Sequence, residues 1–291
     1  MPEKREAMFY EKKEDGTVHC FLCPHHCRIP PDGRGICGVR KNSKGILYSL
    51  NYGEITSIGV DPIEKKPLHR FHPGTSILSV GSAGCNLKCP FCQNHSIAQV
   101  KPEELHTHHA TSEEIVEKAA SLKQKGNIGI AYTYNEPSIW YEFVYDTAKR
   151  AKEKGLLNVL VTNGFISPEP LKMLLPYIDA MNIDLKAFNE RFYRELAKGR
   201  LEDVKETIRR SAESCHVEVT TLIIPGWNDS AEEMEEESKW LASLSPDLPL
   251  HLSRFFPRYL MTDLPPTPVE TLIELKRVAD QHLRYVYLGN V

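Results

Sequence analysis

The chain has 291 residues, 41% hydrophobic and 26% charged, with 20 prolines, proportions that exclude disorder, collagen and a simple coiled coil. Its 36 basic and 39 acidic side chains leave a formal charge of −3, so no broad cationic surface is on offer to nucleic acid or anionic lipid. No apolar run approaches the ~18 residues of a membrane span and the opening Met1-Pro-Glu-Lys-Arg-Glu6 lacks a secretory apolar stretch, which makes the cytoplasm the expected compartment.

Residues 1–70 read as a small lobe stapled by metal. They carry Cys20, Cys23, Cys27 and Cys37, then Lys44 to Ile58 with the alternation of a small antiparallel pair, then the loop-like stretch Asp61 to Gly74. From residue 71 to 291 the pattern changes. Strand-like runs at Ser76 to Gly81, Ile128 to Tyr134, Leu157 to Val161, Ala180 to Leu185, Val217 to Ile224 and Leu250 to Phe255 alternate with helical periodicity, and Tyr285 to Leu288 adds a further strand. The helical stretches are Glu113 to Lys123, Ile139 to Lys154, Leu171 to Tyr177, Asp203 to Ser214, Ala231 to Leu244 and Val269 to His282. Thr111 with Glu114 offers a capping box, and the acidic run Glu232 to Glu237 reads as a solvated helix face. Each crossover needs a helix, so the sheet is parallel. The expected fold is α/β, a (β/α)6 partial TIM-like barrel with a Cys-rich N-terminal lobe; a doubly wound open sheet is the second reading.

Eight cysteines, seven of them in two clusters, point to metal in a chain without an export signal, because the cytosol keeps thiols reduced. The second block, Val80-Gly-Ser-Ala-Gly-Cys85-Asn-Leu-Lys-Cys89-Pro-Phe-Cys92-Gln-Asn-His95, follows the first core strand. Three thiolates at C-x3-C-x2-C hold three irons of a [4Fe-4S] cube and leave the fourth iron free for a small molecule. The rivals are a zinc site completed by His95 and three structural thiols. In the first block, four cysteines suit either a structural zinc or a second cluster.

The cysteine loop at the end of a barrel's first strand resembles that of the radical S-adenosylmethionine superfamily. The likeness extends over Cys20-Phe-Leu-Cys23-Pro-His-His-Cys27, Gly35-Ile-Cys37-Gly-Val-Arg40, Asp61-Pro-Ile-Glu-Lys-Lys-Pro67, Tyr132-Thr-Tyr-Asn-Glu-Pro137 and His251-Leu-Ser-Arg-Phe-Phe-Pro257. That set is similar to the radical enzyme of the AmmeMemoRadiSam system, a branch related to pyruvate formate-lyase activating enzymes. Members of that branch commonly continue into a tail with a further C-x2-C pair beyond the point where this sequence stops.

The resemblance implies a [4Fe-4S] cluster on Cys85, Cys89 and Cys92, and S-adenosylmethionine gripped by strand-end residues. Phe91 and Asn94 flank the cluster. Asn135 and Glu136 occupy the place of a Gly-Gly-Glu motif, with Glu136 receiving the methionine ammonium. Thr162 and Asn163 border the cofactor, Asp184 reaches the ribose hydroxyls, Lys186 the carboxylate, and His251 faces the cofactor from the sixth strand. A low-potential donor of flavodoxin or ferredoxin type would reduce the cluster. The resulting 5′-deoxyadenosyl radical would take hydrogen from a small-molecule or peptide substrate, with Lys65, Lys66, His69, Arg70 and Arg254 about the entrance. Activation of a partner protein by glycyl-radical formation and a non-enzymatic iron–sulfur or zinc module are the alternatives.

Overall fold

The computed structural model describes residues 5–291. The amino-terminal lobe is built from short antiparallel ribbons. One sheet joins Arg5–Glu6, Ile46–Ser49 and Arg40–Ser43; the other joins Tyr10–Lys12, Val18–Cys20 and Arg28–Ile29.

The main sheet has eight strands: β1 (Ser57–Pro62), β2 (Ser76–Gly81), β3 (Asn127–Tyr132), β4 (Leu157–Thr162), β5 (Ala180–Asp184), β6 (His216–Ile223), β7 (Leu250–Arg254) and β8 (Val286–Gly289). They lie in sequential order, all parallel except that β1 runs antiparallel to β2. Between them lie α1 (Ser112–Ser121), α2 (Tyr141–Glu153), α3 (Pro168–Leu174), α4 (Leu201–Ala212), α5 (Ala231–Leu244) and α6 (Val269–Ala279). The capping box at Thr111 and Glu114 forms as expected.

Alternation sorts the strand residues into two faces. Leu78, Val80, Ile130, Leu160, Ile183, Val219 and Leu252 pack outward against Val116, Val144, Ile208, Leu241 and Leu275 of the helices. Inward-facing Ile77, Ala131, Val159 and Ala180 meet Ile63, Leu68 and Phe71 in a separate, smaller cluster. The segment leaving β1 therefore crosses the inside of the barrel and forms its floor.

Ser57–Pro62 pairs residue for residue with Ser76–Gly81, and Ile63, Leu68 and Phe71 pack with the barrel strands across the division expected at residue 70. One expectation is corrected here. The acidic run is not wholly solvated: Glu237 is buried beneath α5, where Thr221 Oγ1 donates to its Oε1 at 2.5 Å. A short helix, Glu190–Phe192, running into a π turn at Tyr193–Ala197, has no counterpart among the expected elements. Among the described residues no helix is long and apolar enough to cross a membrane.

Candidate functional site

Cys85, Cys89 and Cys92 lie on the loop that leaves the C-terminal end of β2, where a barrel gathers its chemistry. Backbone bonds brace this loop on both flanks: Lys88 N donates to the Ala197 carbonyl at 2.9 Å, and Leu260 N donates to the Pro90 carbonyl at 2.9 Å. The π turn thus has a job, since it presents Ala197 to the loop. Leu87 N and Asn163 Nδ2 approach the Cys85 sulfur at 3.4 and 3.5 Å.

Burial pushes all three thiols up, Cys89 to about 11. Glu136 adds to the rise at Cys85, while Lys186 opposes it at Cys89 and Cys92. Buried thiols ionise only when a cation compensates them, and a metal centre supplies that compensation. The donor set therefore fits an iron–sulfur cube: three soft sulfurs on one loop, with N–H groups aimed at one of them. Among the described residues no set of three or more His, Cys, Asp or Glu side chains is gathered at the spacing of a single-ion site. A cube makes no such demand, because each thiolate sits on its own corner.

The strand-end residues lie together, and Glu136, Thr162 and Asn163 are engaged with one another. Glu136 is 2% exposed, and its carboxylate accepts from Ser138 N at 2.9 Å, Thr162 Oγ1 at 2.7 Å and Asn163 N at 2.8 Å. Burial pushes its carboxyl up against those three donors. Rather than opening a free carboxylate toward an ammonium group, it locks the end of β3 to the end of β4. Asn135 accepts from Ser82 N at 2.9 Å and donates to the carbonyls of Ala83 and Gly84 at 3.2 Å each, which fixes the approach to Cys85. Asn163 reaches Asn86 Oδ1 at 2.9 Å, and Asn94 Nδ2 donates to the Tyr134 carbonyl at 2.7 Å. Phe91 is buried, its ring 5.7 Å from that of Phe192.

Asp184 and Lys186 do form one unit at the end of β5, with Nζ 2.9 Å from Oδ2, and the Asp184 side chain is 37% exposed. Burial works against the Lys186 ammonium, yet Asp184 and Cys89 hold its pKa above the ordinary range. His251 sits level with Thr220 and through it with Asp184. Its Nε2 is held by Glu218 Oε2 at 2.6 Å. Glu218 also accepts from the backbone amides of His69 and Arg70 at 3.0 and 2.7 Å and from His216 at 2.9 Å, so His251 belongs to the anchor of the floor. His69 and Arg70 serve that anchor as well, and Arg254 Nε donates to the Thr267 carbonyl at 2.7 Å.

Lys66, expected about the entrance, belongs to a cluster with Asp61 and Tyr134 that a reading of the sequence does not assemble. Lys66, 4% exposed, pairs with Asp61 Oδ2 at 2.7 Å and lies 5.0 Å from the Tyr134 ring centre; the Tyr134 hydroxyl donates to the same oxygen at 3.0 Å. Tyr134 adopts φ +71, and a Cβ on Gly81 would come within 2.9 Å of its ring, so that glycine makes the room. A non-glycine residue in this conformation marks a place worth functional scrutiny. The signal is present as Asp61-Pro-Ile-Glu-Lys-Lys-Pro67, but nothing local tells which lysine turns inward.

In the lobe, Cys20, Cys23 and Cys37 are buried, and desolvation raises Cys23 to about 12 and Cys37 to about 11. A Cβ on Gly35 would lie 3.7 Å from the Cys37 sulfur and 3.8 Å from the Cys27 sulfur, so these two thiols share one hollow. The buried Arg40 guanidinium lies 3.8 Å from the Cys20 sulfur.

Residues 79–238 match the family model of the Radical SAM superfamily. The chain is 47% identical over 290 residues to the uncharacterized protein MJ0808 of Methanocaldococcus jannaschii, covering 99% of this chain and 85% of that one. It is 25% identical over 219 residues to the pyruvate formate-lyase 1-activating enzyme of Escherichia coli (strain K12), covering 68% and 86%. The crystal structure of a radical SAM methyltransferase from Sphaerobacter thermophilus aligns at TM-score 0.57 and 17% identity, covering 75% of this chain and 67% of that one, a likeness of fold alone. With the cysteine loop, the partial barrel and these relatives in agreement, the chain belongs to the radical SAM superfamily and is an enzyme that works with a [4Fe-4S] cluster and S-adenosylmethionine.

Proposed function

We infer that this enzyme abstracts hydrogen from a small molecule or short peptide held inside the barrel. The observation that carries the reading is the floor. Ile63, Leu68 and Phe71 pack against inward-facing strand residues at one end of the barrel, while Lys66 with Asp61 and Tyr134 on one side, and Asp184, Thr220 and Ser253 on the other, are polar groups of its inner face. A few convergent polar groups over an apolar floor suit a small ligand.

When bound, the cluster and S-adenosylmethionine supply one-electron cleavage of the sulfonium and, through it, hydrogen-atom abstraction. Cys85, Cys89 and Cys92 would hold three corners of the cube. Asp184 would accept hydroxyl donors of the cofactor and Lys186 would hold its carboxylate, while Glu136, Asn135 and Asn163 keep three strand ends in register so that those contacts would stay fixed. The four cysteines of the lobe would hold a second metal, with zinc and an iron–sulfur cluster separated by metal analysis of the purified chain.

The test is anaerobic reconstitution with iron and sulfide, followed by dithionite and S-adenosylmethionine. The native chain is expected to release 5′-deoxyadenosine and Cys89→Ala to lose at least 99% of that release; equal release from both ends the reading. The relation to the pyruvate formate-lyase 1-activating enzyme favours a second destination, a glycyl residue of a partner protein. It predicts a stable protein radical on that partner, whereas the first reading predicts deuterium transfer from a labelled small substrate to 5′-deoxyadenosine.

A further inference from the structure

The Cys23-Pro-His25-His26-Cys27 knuckle touches the catalytic loop directly. His25 Nε2 lies 2.7 Å from the carbonyl oxygen of Asn86, and because a carbonyl only accepts, the ring nitrogen donates. The peptide unit that ends in this carbonyl begins the next residue with its N–H. That N–H, on Leu87, points at the Cys85 sulfur from 3.4 Å. One rigid plane therefore joins the lobe's histidine on one edge to a cluster ligand on the other.

Its surroundings leave this plane little freedom. The Asn86 side chain accepts from Asn163 Nδ2 at 2.9 Å and donates to the Phe165 carbonyl at 2.6 Å, and the His25 ring packs edge-on against Phe165 with centroids 5.0 Å apart. Behind Cys85 the lobe presses in again. Gly84 has φ +88, and a Cβ there would come within 2.8 Å of the Cys37 carbonyl oxygen.

We propose that His25 is a positioning residue for the catalytic cluster, setting its reduction potential through the Asn86–Leu87 peptide. A donor on the carbonyl polarises the amide and strengthens its N–H as a donor to sulfur. Hydrogen bonds to ligand sulfur favour the more negative, reduced cluster and so raise its potential. The lobe thereby governs how readily the cluster accepts an electron, without touching substrate or S-adenosylmethionine. The inference rests on Cys85, Cys89 and Cys92 carrying the cluster and is independent of the substrate.

The experiment is a redox titration of the full-length, anaerobically reconstituted enzyme, followed by the electron paramagnetic resonance signal of the reduced cluster. His25→Phe removes the donor and keeps a ring against Phe165; its midpoint potential is expected to shift negative at unchanged iron content. His25→Gln restores an N–H donor and is expected to recover most of the shift. Coincident potentials in the wild-type and His25→Phe proteins overturn the proposal, as does a His25→Gln protein no different from His25→Phe. Should His25→Phe fail to load iron, Phe165→Leu takes its place, since it frees the His25 ring and leaves the residue 165 carbonyl on Asn86; an unmoved potential there is equally fatal. A wild-type protein that holds the cluster but cleaves no S-adenosylmethionine refutes the proposed function and leaves this comparison standing.

Discussion

Glu237 faces the sheet from α5 with 1% exposure, and burial pushes its carboxyl up to about 8 in spite of the Thr221 donor. The folded state holds a proton that the unfolded chain releases above its ordinary value of about 4.3. Stability therefore falls as pH rises from there toward about 8 and levels off beyond. Each tenfold change in proton affinity between the two states is worth about 1.4 kcal/mol. Glu237→Gln, which keeps the acceptor for Thr221, is expected to gain about 2 kcal/mol in urea unfolding at pH 8 and almost nothing at pH 5. An equal gain at both values would mean that burial of charge is not the cause. The sequence alone misplaces this side chain because five of six residues from Glu232 to Glu237 are acidic, and composition does not say which one turns inward. Cys85, Cys89 and Cys92 were legible because their chemistry is local and spaced within eight positions of one loop. His25 and Asp61 were not, since their partners Asn86 and Tyr134 lie 61 and 73 positions away.

At the scale of elements, the segment from Ile63 to His72 has no regular partner strand and depends on side chains for its place. Glu218 is the main one. Desolvation opposes its charge, but His216, His251 and the Arg70 amide hold its carboxyl down to about 2. A depressed carboxylate stabilises the folded state above its ordinary range and loses that contribution as pH falls toward 2. Glu218→Gln is expected to cost about 2–4 kcal/mol and to speed tryptic cleavage after Lys65 and Arg70 before the strands open. Cleavage at the wild-type rate would show the floor to be held by Ile63 and Leu68 alone. The core strands and helices were readable because each has its own period. β1 was not, for its antiparallel partner is β2, across the whole floor, and its Ile58 and Val60 stay 44% and 50% exposed on an edge. Only the strand-end register, not the role of each side chain, was legible at the site: Glu136 and Asn135 turned out to brace strands because their hydrogen-bond partners come from the cysteine loop and β4.

Across the whole molecule, lobe and barrel are joined by a buried charge pair. Arg40, 1% exposed, donates to Glu142 of α2, 0% exposed, and to the Met8 carbonyl at 2.7 Å, while Met8 N donates to the same Glu142 oxygen at 2.7 Å. A second contact, Ser167 N to the Leu22 carbonyl at 3.0 Å, ties the lobe to the segment leading into α3. Removing one member of a buried pair strands the other charge and typically costs about 3–5 kcal/mol, whereas replacing both with apolar groups of similar size is far milder. Glu142→Ala is therefore expected to lower the calorimetric midpoint and to split one transition into two, the lobe opening first. The double variant Arg40→Met with Glu142→Leu is expected to restore a single transition. If Glu142→Ala melts as one unit, the lobe is held to the barrel by its knuckle on the cysteine loop instead. The potential of the cluster should then follow the integrity of the lobe even in this variant.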